Sequence, residues 1–239
     1  MRRGPGLTTL LLSALSAAGC AVTPNSDVDA FAANSAANSF EVFDRAVEGP
    51  DALVLPVAHD RQTSGAACGA HVLASVVNYW RGAGAVSGDA IFAANPPSQP
   101  QGYSMAEVMS LAREHGLLAS AVRLRWIDII RELESGRPVL APVRLPSVYV
   151  QQRSLPGGDV PVVGVARNTV IHRTGRLSEL TGLTMVDHYL LIVGYDDQRF
   201  IVVEPVMGYR TISFEKLDRY RQAFGDAAIV FSAPPPGAG

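Results

Sequence analysis

Cys68 stands in the run Gln62-Thr63-Ser64-Gly65-Ala66-Ala67-Cys68-Gly69-Ala70, where a loop of small residues enters an apolar stretch. A cysteine at a helix start meets unsatisfied backbone N–H groups and the positive end of the helix dipole, and both favour thiolate over thiol. The small neighbours Ala66, Ala67 and Gly69 leave room for a carbonyl group to reach the sulfur. Gln62, six residues earlier, can present its side-chain amide beside the backbone N–H of Cys68. Together the two donors would form an oxyanion hole for a tetrahedral intermediate. The plainer alternatives are a small buried cysteine and a loop glutamine.

A nucleophilic thiol needs a base from a distant part of the chain. Five histidines are available. His59 and His115 fall in loop and helix-end contexts, and His172 sits in the polar run Ile171-His172-Arg173-Thr174-Gly175. His71 follows Cys68 by three residues on the same helix and cannot face it across a cleft. His188 opens the apolar run Tyr189-Leu190-Leu191-Ile192-Val193-Gly194, and a strand holds an imidazole rigidly. His188 is therefore the expected base. Its orienting partner is expected to be Glu204, sixteen residues later on the return strand. Parity puts the two on one face only if the intervening turn is odd or a strand carries a bulge. Asp187, Asp196 and Asp197 are the alternatives, the last two reading better as turn formers.

The elements that must position these groups follow from periodicity. Leu53–Leu55 reads as a short strand and Gly69–Trp80 as a helix stopped by Gly82 and Gly84. Ser104–His115 reads as a helix with a Ser104/Glu107 capping box and Gly116 as its stop. Trp126–Glu134 reads as a third helix and Pro138–Val143 as a buried strand. Further strands are expected at Val160–Val165, Thr169–Ile171, Tyr189–Gly194, Phe200–Val203 and Ala227–Phe231. A helix over Phe214–Phe224 is expected, capped by Ser213. Helices early and strands late predict an α+β fold, a helical lobe followed by an antiparallel sheet lobe.

The ends carry separate signals. Arg2 and Arg3 precede the apolar run Leu7–Ala18, too short to span a bilayer, and small residues lead into Cys20. This is the layout of a secretory signal, and its ending resembles a bacterial lipobox. By that resemblance Cys20 would be acylated and would anchor the exported chain by its lipid in the bacterial cell envelope, on the periplasmic side. Cys68, the other of the two cysteines, is then left without a disulfide partner in an exported protein. Residues 1–20 are thus expected to be a signal peptide with a lipobox and 21–50 a tether. Residues 51–232 would form the catalytic domain and 233–239 an unstructured tail.

The 239 residues suffice for one ordinary domain, and 48% apolar residues suffice for its core. The net charge of −2 gives no case for nucleic acid or for an acidic membrane surface. No zinc-type Cys/His spacing, phosphate-binding glycine loop or G-x-S-x-G elbow is present, so no cofactor is expected.

Taken in order, these features are a Gln-x₅-Cys-Gly helix start, then a His before Tyr-Leu-Leu-Ile-Val-Gly-Tyr-Asp-Asp, then the acid-Pro strand end Glu204-Pro205. The order resembles the bacteriocin-processing (double-glycine) peptidases and their free-standing relatives, which are papain-like cysteine peptidases. The segment Ser135–Leu140 also looks like the family's link between its two lobes, and the resemblance spans roughly residues 53–232. It implies Cys68 as nucleophile, His188 as base, Glu204 as orienting residue, Gln62 as oxyanion donor and a peptide or protein as substrate. The chain departs from the family in having Glu204 where Asp or Asn is usual. It also departs in its longer, more polar segment 144–187, read here as a flap over the cleft. Acyl transfer to an amine by the same site, and a catalytically silent binding module, are the alternative functions.

Overall fold

The computed structural model describes residues 51–62, 65–150 and 161–233, with the backbone only for residues 161–168. The secretory signal, Cys20, the tether and the last six residues lie outside the described residues. The chain begins with β1 (Leu53–Val54), then α1 (Cys68–Arg81), α2 (Gly88–Ala94) and α3 (Met105–Glu114). β2 (Leu118–Arg123), α4 (Trp126–Glu134) and β3 (Val139–Pro146) follow. A short α5 (Ser147–Val150) and a long α6 (Pro161–Thr181) lead into the hairpin β4 (Met185–Tyr195) and β5 (Arg199–Glu204). The chain closes with β6 (Gly208–Ser213), α7 (Phe214–Arg221), a 3₁₀ turn (Gln222–Phe224) and β7 (Ala227–Ser232).

The architecture is α+β, as expected from the sequence. Among the described residues the strands form one antiparallel sheet in the order β2-β7-β3-β4-β5-β6, with β1 paired to β4. α1 packs on this sheet, and its inner residues Val72, Leu73, Val76 and Val77 join Leu140, Leu191, Ile192 and Val193 in one core. α1 and β4 are thus the two faces on which a nucleophile and a base can be held opposite each other. The capping box is present, Ser104 accepting from the Glu107 N–H while Glu107 accepts from the Ser104 N–H.

Several expectations need correction. The β-branched run from Val160 suggested strands at Val160–Val165 and Thr169–Ile171, but Pro161–Thr181 is one helix. Pro161 opens it, a position where its fixed φ and missing N–H cost nothing. Beyond residue 168 its buried positions Ile171, Gly175 and Ser178 have helical spacing. Tertiary packing has overridden a weak β propensity. Within segment 144–187 the described residues are the end of β3, the short α5, the long α6 and the start of β4, and Arg144, Val150, Met185, Val186 and Asp187 among them line the cleft recess. α7 ends at Arg221, and the last turn tightens to 3₁₀ before Gly225 at φ 59°. α2, β2 and β6 were not anticipated.

Candidate active site

Cys68 is the first residue of α1, whose N-cap residue Ala67 has no side chain to cap it and whose first turn holds no acid. α2, α3 and α7 each have a serine cap accepting from a first-turn N–H. The uncapped end of α1 leaves its amide donors and the positive end of its dipole for the Cys68 sulfur. Cys68 is free and only 6% exposed, yet it lines a cleft of about 330 Å³ with Gly102, Tyr103, Pro142, His188 and Tyr189. Gly69 is packed tightly next to it. A Cβ there would lie 3.0 Å from the Tyr103 ring, which forms one cleft wall.

His188 is held on β4, 8% exposed, and its Nε2–H donates to Glu204 Oε1 at 2.7 Å. That leaves Nδ1 for the cleft, whose lining His188 shares with Cys68. Thiol, imidazole and carboxylate are thereby gathered at one site. The bulge that parity required is there. Gly194 pairs with Ile201, but Ile192 pairs with Val202, so Val193 is the extra residue. Beyond it Leu191 faces Val203, and one further step sets Glu204 opposite Leu190 on the face that carries His188. Gly194 serves the same hairpin, because a Cβ there would collide with the Leu53 carbonyl of β1. The second Glu204 oxygen accepts from the Met207 N–H, which fixes the carboxylate on both sides.

Burial alone would depress the His188 pKa, but hydrogen bonds and charge from Cys68 and Glu204 outweigh it and raise the group from 6.5 to about 9. The imidazolium is thus retained at neutral pH and lost as pH rises through about 9. Its contribution to folding is complete below about 6.5 and disappears over the same rise to about 9. Burial and the nearby charge of Cys68 raise the Tyr189 phenol, which stays neutral and donates to the Tyr103 carbonyl at 3.1 Å.

Gln62 lines a second recess of the cleft together with His188. Its Nε2 donates to the Gly65 carbonyl at 3.1 Å. Its backbone N–H donates to the Pro205 carbonyl at 2.9 Å, and His59 Nε2–H donates to the same oxygen at 2.8 Å. One carbonyl next to Glu204 thereby ties the loop of Gln62 to the turn of the orienting carboxylate. His59 has this positioning role, which nothing in the sequence signalled.

The other candidates lie elsewhere. His71 is buried against Asp60 and lies 3.5 Å from Asp89. His115 caps the end of α3, and His172 is exposed on α6. Asp187 forms a bidentate pair with Arg144, at 2.6 and 3.0 Å, on the rim of the cleft. Asp196 accepts from the N–H groups of Gln198 and Arg199, the turn former it was expected to be. Among the described residues no group of His, Cys, Asp and Glu is arranged to hold a metal ion.

The Peptidase_C39 like family matches residues 54–229. No curated protein sequence matches the chain. Among solved structures the chain is similar to a double glycine motif protease from an AMS/PCAT transporter in complex with the leader peptide. That match has 16% identity and a TM-score of 0.49, over 76% of this chain and 94% of that one. It is similar to the peptidase domain of Streptococcus ComA, a bi-functional ABC transporter involved in a quorum sensing pathway (14%, 0.48, 73% and 96%). It is also similar to a C39-like peptidase from Bacillus anthracis (15%, 0.49, 77% and 98%).

Proposed function

Because the chain belongs to the Peptidase_C39 like family, we propose that it is an active papain-like cysteine peptidase that cleaves a peptide bond in a peptide or protein of the bacterial cell envelope. The observation that carries this reading is His188, bonded to Glu204 at 2.7 Å and lining one cleft with Cys68.

In the proposed mechanism the Cys68 thiolate attacks the scissile carbonyl while the His188 imidazolium is held ready as general acid. The oxyanion is bound by the Cys68 N–H and the Gln62 side-chain amide. His188 gives its Nδ1 proton to the leaving amine, which departs and leaves an acyl-enzyme. Neutral His188 then takes a proton from water, the hydroxide attacks the acyl carbon, and the thiolate is released. Glu204 keeps the Nε2 proton in place throughout.

Two outcomes follow. The alkaline limb of kcat/KM should lie near pH 9, where the imidazolium is lost, and Glu204→Gln should move it to lower pH by removing one of the groups that raise His188. A limb near 6.5 that Glu204→Gln leaves in place would refute the ion-pair arrangement. Gln62→Ala should lower kcat by roughly 10²–10³ with little change in KM, because the donor is used only once charge develops on the substrate oxygen. An unchanged kcat would remove Gln62 from the site.

Attachment through a lipid on Cys20 is part of the same proposal and rests on the residues before it. Metabolic labelling with palmitate should mark the protein, and Cys20→Ala should not be marked. Equal labelling of both would exclude Cys20 as the acceptor.

A further inference from the structure

α6 presents the wrong side of itself to the protein. Four of the seven large apolar side chains exposed among the described residues lie between positions 170 and 183. They are Val170, Leu177, Leu180 and Leu183, at 61%, 61%, 84% and 68% exposure. The inward face carries Ile171, Gly175 and Ser178 instead. Gly175 lets the helix lie close on Tyr149, and Ser178 is bonded to Thr174 and Thr184. At 100° per residue, Val170, Arg173, Leu177 and Leu180 fall within roughly 80° of arc. A surface helix normally turns its apolar side chains inward, so beyond residue 168 these side chains are left without a partner among the described residues.

Charge indicates what that partner is. Glu179 is the one acid between residues 161 and 183. It is turned inward, bonded to the Tyr220 hydroxyl and paired with Lys216 at 3.2 Å. His172, Arg173 and Arg176 are exposed, and neither arginine pairs with a carboxylate among the described residues. The outward face is therefore aliphatic and cationic. It contains no aromatic anchor, and as the outer side of a helix it is convex, unlike the pocketed, aromatic centres typical of protein interfaces. Leucines that enter the acyl boundary beside guanidinium groups that meet phosphates are the composition of a helix lying on a lipid surface. No helix among the described residues is long and apolar enough to cross a membrane, so the contact is a surface one.

We propose that the outer face of α6 and the turn that follows it, through Val170, Leu177 and Leu180 on the helix and Leu183 in the turn with Arg173 and Arg176, docks on an anionic bilayer surface. The whole-chain charge of −2 had argued against such a surface, because it averages this patch with the acids elsewhere. The contact is separate from acylation of Cys20 and from catalysis, but it bears on the substrate. Leu183 lies two residues before Met185, which with Val186 lines the cleft recess shared by Gln62 and His188. Docking holds that recess beside the membrane and favours peptides that lie on or emerge from the bilayer.

The test uses the full chain carrying Cys20→Ala, so that no attached lipid contributes. It is floated with vesicles of phosphatidylcholine alone and with added phosphatidylglycerol. Because apolar residues 7–18 are present in every sample, the comparison is between variants. Binding should require the anionic lipid. The pair Leu177→Ser and Leu180→Ser should weaken it at least about tenfold. The pair Arg173→Glu and Arg176→Glu should weaken it most at low salt, where exposed charges are least screened. Thermal melting and cleavage of a soluble peptide should be unchanged in both. Equal binding by all three proteins, or no preference for the anionic lipid, would overturn the proposal. A concentration-dependent dimer in sedimentation that the leucine pair abolishes would assign the face to a second copy of the chain instead.

Discussion

Cys68→Ala is expected to leave less than about one part in 10⁴ of the peptide-cleavage rate, because among the described residues no second thiol lines the cleft to form the acyl-enzyme. The protein should still fold. Cys68 is buried at the start of α1, and alanine there keeps the helix and removes one sulfur atom from the cleft wall. The melting temperature should therefore stay close to that of the parent, which separates loss of chemistry from loss of structure. The same substitution should lower the pKa of His188. Removing the Cys68 partner leaves burial, which depresses the imidazolium, opposed by Glu204 alone. An NMR titration of the His188 ring in the two proteins reads this directly. Retained cleavage in Cys68→Ala would mean that another group, or a contaminant, performs the reaction. An unchanged His188 pKa would mean that sulfur and ring do not interact.

Glu204→Gln is expected to lower kcat by on the order of 10²–10⁴ while KM changes little, since the carboxylate touches His188 and not the substrate. Glutamine keeps the length and shape of the side chain. It removes the charge that supports the imidazolium at 2.7 Å from Nε2, and it can present an N–H₂ where an acceptor is needed. Glu204→Asp tests the spacing instead. It keeps the charge but withdraws the carboxylate by about 1.5 Å, one C–C bond. The bulge at Val193 and the Met207 N–H set the present position, so Asp should restore only part of the activity lost in Gln. Full activity in Glu204→Asp would show that the hairpin adjusts freely. Full activity in Glu204→Gln would show that the carboxylate does not orient the base.

The two halves of the site differed in how far they could be read in advance. The helix of Cys68 announced itself, because its small-residue entry and apolar spacing are local. The hairpin of His188 and Glu204 was legible as two apolar runs around an Asp-Asp turn, and their common face as a condition on parity. Where the extra residue would fall was not legible. Val193 is the bulge because Gly194 must lie against the Leu53 carbonyl, a contact between residues far apart in sequence. The tie from His59 and Gln62 to the Pro205 carbonyl is tertiary in the same way. β2 escaped notice because Leu118–Arg123 has one fully buried side chain and no sustained alternation, and β6 because Gly208–Ser213 is a largely exposed edge. α6 was misread for a physical reason with consequences. Beyond residue 168 Val170, Leu177 and Leu180 are exposed and only Ile171 among the aliphatic residues is buried, so the pattern that normally betrays a helix is reversed.

Cys68 and His188 held as a reactive pair should show in the alkylation rate of Cys68 by iodoacetamide at neutral pH. Mass spectrometry of the peptide that contains Cys68 follows the modification, with His188→Ala as the comparison. Cys68 is expected to react at least about tenfold faster than a free thiol, which is only a few per cent thiolate at that pH. The excess should vanish in His188→Ala. A rate no greater than that of a free thiol, or one that His188→Ala leaves unchanged, would contradict the account.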